Sequence, residues 1–164
     1  MTSQRVHFEL PPDPAATERL GEWLGARLAP GDVLALVGDL GAGKTTLVRG
    51  LARGLGADDP DSVSSPTYLL VVEHPGRVPL LHADAYLPAK LQGFLDDGGL
   101  DYLLQPRAVV VVEWAQRIRK YLPDHALWLE LSFLPGGGRR VDAGAAEGSR
   151  FPFLGELPKM RQGD

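Results

Sequence analysis

The sequence contains no cysteine. This excludes disulfide scaffolds, thiolate zinc sites, iron–sulfur clusters and cysteine nucleophiles, and it suits a reducing cytoplasm. Histidine is scarce, with 4 in 164 residues, which leaves little for a zinc site. Uninterrupted apolar runs such as Ala108 to Val112 fall far short of the roughly 20 residues of a membrane-spanning helix. Met1 to Pro14 lacks an apolar core behind a basic start, so no signal peptide is read. Basic residues do not dominate: 17 Lys and Arg stand against 21 Asp and Glu, a net charge of −4. A chain that binds nucleic acid through its own surface is normally basic, so tight direct binding of RNA or DNA is not indicated. What remains is an ordinary globular composition, 44% hydrophobic and 23% charged. The length fits one domain, able to bury roughly 70% of its unfolded surface.

Short apolar strands alternate with helical stretches. That pattern predicts an α/β fold with a three-layer architecture. Val6 to Leu10 reads as an edge strand ended by Pro11-Pro12. Asp13 or Thr17 caps a helix to about Leu28, with Leu20, Trp23, Leu24 and Leu28 at helical spacing. Asp32 to Val37 is a strand, and Lys44 to about Leu55 a helix. Leu69 to Glu73 and Val78 to Ala83 are strands flanking a Pro75-Gly76 turn. Leu91 to Leu104 forms one or two short helices broken at Gly98-Gly99. Ala108 to Val112 is β-branched without alternation, as in a parallel strand buried on both faces. Ala115 to Tyr121 is a short helix. Leu127 to Phe133 and Arg139 to Ala143 pair as a hairpin around Pro135-Gly136-Gly137-Gly138. Beyond Gly144 the pattern fades. Residues 1–144 therefore read as the domain and 145–164 as a poorly ordered tail.

One motif dominates. Gly38-Asp39-Leu40-Gly41-Ala42-Gly43-Lys44-Thr45 fits G-x-x-x-x-G-K-[ST], the Walker A phosphate loop. Glycines let the backbone curl so that successive N–H groups face one phosphate, and the following helix adds its positive end. Lys44 is placed for the β- and γ-phosphates, and the Thr45 hydroxyl for magnesium. With 20 glycines, chance supplies about 0.004 such matches in a chain of this composition. An apolar strand before the motif and a helix after it complete the context. These features predict a P-loop nucleoside triphosphate hydrolase fold with a mostly parallel central sheet.

Such a site needs a carboxylate at a strand end. Glu113, after four valines, is one candidate for the metal; the alternative is a solvated strand end. Asp84 is the other, as metal ligand, water-orienting group or turn cap. It precedes a loop without strong order signals and is the carboxylate suited to move. His82 reads as a structural strand histidine. Trp114 either borders the nucleotide or packs on the helix behind it. Ser64-Ser65-Pro66-Thr67 is a γ-phosphate switch or a plain capped loop. Arg139-Arg140 reads as a solvated hairpin edge, with reach to phosphate or a partner as the alternative.

In order along the chain stand Gly38 to Thr46, Ser65-Pro66-Thr67-Tyr68, His82-Ala83-Asp84-Ala85-Tyr86 and Val112-Glu113-Trp114, with Leu122-Pro123 before the last strands. Together they resemble the bacterial TsaE (formerly YjeE) family from about Val6 to Val141. The resemblance implies an ATPase of tRNA threonylcarbamoyladenosine biosynthesis, weak alone and stimulated by partners. It implies ATP and magnesium as cofactors. It implies a threonylcarbamoyl transferase and that transferase's inactive paralogue as partners, with tRNA met through the complex. The adenosine modified is the one next to the anticodon. By the same resemblance, Gly41, Ala42, Gly43, Lys44, Thr45 and Thr46 bind nucleotide. Thr45 and Glu113 bind magnesium, Lys44 and Asp84 serve hydrolysis, and Thr67 lies in a switch-like segment. Adenine is expected near Asp13 to Thr17, and the setting is cytoplasmic. Leu87 stands where the family often has arginine, and Pro88, Ala89 and Lys90 lack the acidic spacing of the family.

Three other functions compete. A small-molecule kinase of the shikimate or nucleoside type fits the length, with Arg117 and Arg119 as lid arginines. A GTPase requires N-K-x-D, yet Lys44, Lys90, Lys120 and Lys159 follow Gly, Ala, Arg and Pro. A nucleotide-sensing module would bind without turnover.

Overall fold

Four consecutive valines and a glutamate form β5 (Val109–Glu113), buried along its whole length. The computed structural model describes residues 3–67, 70–146 and 150–159. Beside β5 lie β2 (Val33–Val37) on one side and β4 (Leu80–Asp84) on the other, both parallel to it. β6 (Leu127–Phe133) adds in parallel outside β2. Antiparallel strands finish both edges: β3 (Val71–His74) beside β4, then β7 (Arg139–Ala146) and β1 (Ser3–Leu10) beyond β6. The order is β1-β7-β6-β2-β5-β4-β3.

Alternation along the strands makes two cores. Leu34, Leu36, Leu80, Val109 and Val111 face α1 (Pro14–Gly25) and α2 (Lys44–Gly54). Val33, Ala35, Leu81, Val110 and Val112 face the other layer. That layer holds α3 (Pro88–Asp96), α4 (Gly99–Leu103) and a 3-10 segment, Ala115–Tyr121, kinked at Ile118. Asp13 caps α1 by accepting from Ala15 N–H at 3.0 Å. The two helices of the first layer touch through glycine: a Cβ on Gly50 would stand 1.9 Å from the Glu18 carbonyl oxygen. No helix among the described residues is long and apolar enough to cross a membrane.

The poorly ordered tail is corrected. β7 continues to Ala146, and Pro152–Lys159 forms a 3-10 helix. Phe151, Leu154 and Leu157 are buried in the core under α1, and Trp23 meets Phe153 edge-on at 5.7 Å. Each buried Leu or Phe contributes about 1.5–3 kcal/mol of transfer free energy. Pro152, Gly155 and Pro158 stand among them and read in the sequence as breakers. Residues 147–149 and 160–164 lie outside the described residues. β1 begins at Ser3 rather than Val6 because its outward residues, Arg5 and His7, are polar while its ladder to β7 runs the full length. Leu69, expected to open β3, also lies outside the described residues.

Candidate functional site

The phosphate loop connects β2 to α2. Gly43 caps α2 at φ 107°, a conformation that side chains with a Cβ rarely adopt. The loop therefore turns directly into the helix, and the N–H groups of the first turn have no intrahelical carbonyl to meet. Thr45 and Thr46 occupy that turn. Lys44 is only 5% exposed. Its Nζ donates to the carbonyls of Gly38 and Asp39 and lies 4.5 Å from the Trp114 ring centroid. Burial pushes the Lys44 pKa down, against the pull of Glu113, Asp84 and Asp39.

Both candidate carboxylates come to this loop. Asp84 and Glu113 are directly paired in the β4–β5 ladder, and each is 2% exposed. Alternation puts them, with His82, on the face that α2 covers. The Thr45 Oγ1 donates to Glu113 Oε1 at 3.4 Å, while His82 Nε2 lies 2.5 Å from Glu113 Oε2. Asp84 is held differently. Its Oδ2 accepts from Ser65 Oγ at 2.9 Å and Thr67 Oγ1 at 2.8 Å, and its Oδ1 from Tyr86 N–H at 2.8 Å. The carboxylate read as suited to move is thus pinned by three donors, and the Ser64–Thr67 segment is the part attached to it.

Backbone strain stands beside both carboxylates. Among the described residues, Leu70 (φ 68°) and Trp114 (φ 58°) are the non-glycine residues with positive φ. The Leu70 carbonyl accepts from Asp84 N–H at 2.8 Å, and Trp114 directly follows Glu113. Such conformations cost about 1–3 kcal/mol each and persist where surroundings enforce them. Trp114 packs on Tyr86 at 4.9 Å between ring centroids.

The chemistry of the donors fits magnesium. They are all oxygen, a hydroxyl and a carboxylate. No group of three or more His, Asp or Glu side chains among the described residues could cage a metal. One or two protein donors suffice where phosphates and water complete the shell. Beside the loop opens a cleft of about 330 Å³, with Pro12, Asp13, Thr17, Thr46 and Arg139 among its walls. It brings the Asp13 to Thr17 stretch to the loop. A larger groove, about 650 Å³, lies on the opposite face of the sheet over β1, β7 and β6.

The chain is similar to known proteins. Residues 11–140 match the family described as threonylcarbamoyl adenosine biosynthesis protein TsaE. The chain belongs to the TsaE family. A tRNA threonylcarbamoyladenosine biosynthesis protein TsaE of Treponema pallidum is 38% identical over 125 residues, covering 76% of this chain and 90% of the relative. The protein of that name from Bacillus subtilis is 37% identical over 145 residues, covering 88% of each. A crystal structure of Bacillus subtilis YdiB superposes with a TM-score of 0.76 at 29% identity, covering 97% of both chains.

Within this TsaE chain the expected residues Gly41, Ala42, Gly43, Lys44, Thr45, Thr46, Asp84 and Glu113 all converge. The structure brings two arginines beside them that the sequence left open, Arg139 as a hairpin edge with reach to phosphate and Arg117 as a kinase lid. Arg139, read as a solvated edge, donates to the loop carbonyls of Ala42 at 2.9 Å and Gly41 at 3.3 Å. The run of glycines before it, which folds the hairpin tip back, was the available signal. Arg117 donates to the Tyr86 carbonyl and lies 5.0 Å from the Tyr86 ring. A cation thus stands beside this stretch although position 87 is leucine, which precedes α3 as its cap.

Proposed function

We propose that this chain binds ATP with magnesium and hydrolyses it in the service of tRNA threonylcarbamoyladenosine biosynthesis. One observation carries the reading: a buried carboxylate, Glu113, faces the Thr45 hydroxyl at the helix start that follows a glycine-rich loop. The N–H groups of Gly41 to Thr46 and the Lys44 ammonium hold the phosphates. Thr45 and Glu113 hold the metal, which when bound supplies positive charge to the phosphate oxygens. Asp84, aimed by Ser65, Thr67 and the Tyr86 N–H, orients the attacking water. The names of the relatives support the tRNA context. On this reading a threonylcarbamoyl transferase subunit and its inactive paralogue are the partners and raise the slow basal turnover. A net charge of −4 favours tRNA contact through that complex rather than by this chain alone. The absence of cysteine suits a cytoplasmic setting.

The test is ATP turnover with and without the two partner proteins and tRNA. Lys44→Ala removes the cation of the loop, and turnover falls on the order of 100-fold or more, since charge stabilisation dominates phosphoryl transfer. A folded Lys44→Ala protein that hydrolyses ATP at the wild-type rate overturns the reading. A tight, salt-sensitive complex of tRNA with the isolated chain overturns its partner clause.

A further inference from the structure

We propose that His82 is a positioning residue that fixes the Glu113 carboxylate for metal binding. The inference rests on the reading of Thr45 and Glu113 as the magnesium pair. His82 is fully buried on β4, between Leu80 and Asp84, on the face that α2 covers. The two oxygens of Glu113 are divided: Oε2 lies 2.5 Å from His82 Nε2, and Oε1 faces Thr45 Oγ1 at 3.4 Å.

The opposite ring nitrogen shows what the imidazole is for. His82 Nδ1 is buried and has no hydrogen-bond partner among the described residues. His74 is the neighbouring ring, at 6.1 Å between centroids, a ring contact rather than a hydrogen bond. Glu113 is the hydrogen-bond partner of the ring among the described residues, and since a carboxylate accepts, Nε2 is the donor of that bond. A residue that served packing alone would be aliphatic here, as its neighbours Leu80, Val109 and Val111 are. An aliphatic side chain would leave no buried nitrogen without a partner.

Fixing that carboxylate matters for a physical reason. The last torsion of glutamate is broad, so its oxygens rotate freely unless held. Magnesium demands near-octahedral geometry and tolerates little misplacement of a donor. By holding Oε2, His82 keeps Oε1 turned toward Thr45. The imidazole acts through Glu113, the side chain it meets.

The experiment measures ATP affinity of the full chain by calorimetry, in chelator and across a magnesium titration. Glutamine can present an amide N–H where Nε2 stands, whereas leucine and phenylalanine fill the space without a donor. In His82→Leu and His82→Phe, magnesium affinity of the ATP complex falls on the order of 10-fold or more, the usual effect of losing such a partner. Affinity in chelator stays within about 2-fold, and His82→Gln recovers to within about 3-fold of wild type. A folded Leu or Phe variant with the wild-type magnesium requirement overturns the proposal, as does a Gln variant as impaired as both. A wild-type protein whose ATP binding ignores magnesium overturns the magnesium reading of the site, and this proposal with it.

Discussion

Asp84 and Glu113 end neighbouring strands, stand directly opposite in register and are equally buried, yet the two strand ends are built differently. The end of β5 is tied to rigid parts. Glu113 meets His82 from within the sheet and Thr45 from the first turn of α2. The end of β4 is tied to a connecting segment. Asp84 is held by the hydroxyls of Ser65 and Thr67 and by the next turn of its own chain. A carboxylate fixed by core elements suits a metal that tolerates little distortion. A carboxylate fixed by a loop changes its aim when the loop moves.

The sharpest way to break this contrast is to neutralise each carboxylate in turn. Asp84→Asn reduces partner-stimulated hydrolysis by about 100-fold or more while sparing ATP affinity, as loss of a water-orienting group does. Glu113→Gln weakens the magnesium-dependent part of ATP binding by on the order of 10-fold to 100-fold. Titrations of both variants with and without magnesium check the pair; if Asp84→Asn abolishes the magnesium effect and Glu113→Gln preserves it, the roles are reversed.

A smaller effect is expected at the loop that aims Asp84. Thr67→Val deletes one hydroxyl donor to the carboxylate and costs about 1–2 kcal/mol in urea unfolding. Its magnesium requirement stays that of the wild type. A Thr67→Val protein of unchanged stability but altered magnesium requirement would merge the two strand ends into one unit.

The smallest change is optical. Trp114 lies against Lys44, so ATP alters tryptophan emission and Trp114→Phe removes that response, with Trp23 and Trp128 as internal controls. A response that persists in Trp114→Phe comes from elsewhere and separates Trp114 from the nucleotide.

The β5 end was the more legible of the two. Four valines and a glutamate declare a buried parallel strand and its polar terminus, and the glycine–lysine–threonine spacing declares the loop beside it. The β4 end was harder to read. Its Ser65 and Thr67 are small polar residues whose types suit any loop, and their partner lies 17 to 19 positions away. The C-terminal segment was misread because Pro152, Gly155 and Pro158, which read as breakers, stand among Phe151, Leu154 and Leu157.

By itself, then, the sequence determined the strands, the helices up to Tyr121 and the phosphate loop. Local backbone preference and apolar periodicity act over a few residues and are written in them. Tertiary structure alone decided that Arg139 grips the loop from 97 positions away, that Ser65 and Thr67 aim Asp84, and that His82 holds Glu113. Those pairings depend on which strand lies next to which and on register, where a slip of one residue turns every side chain to the opposite face.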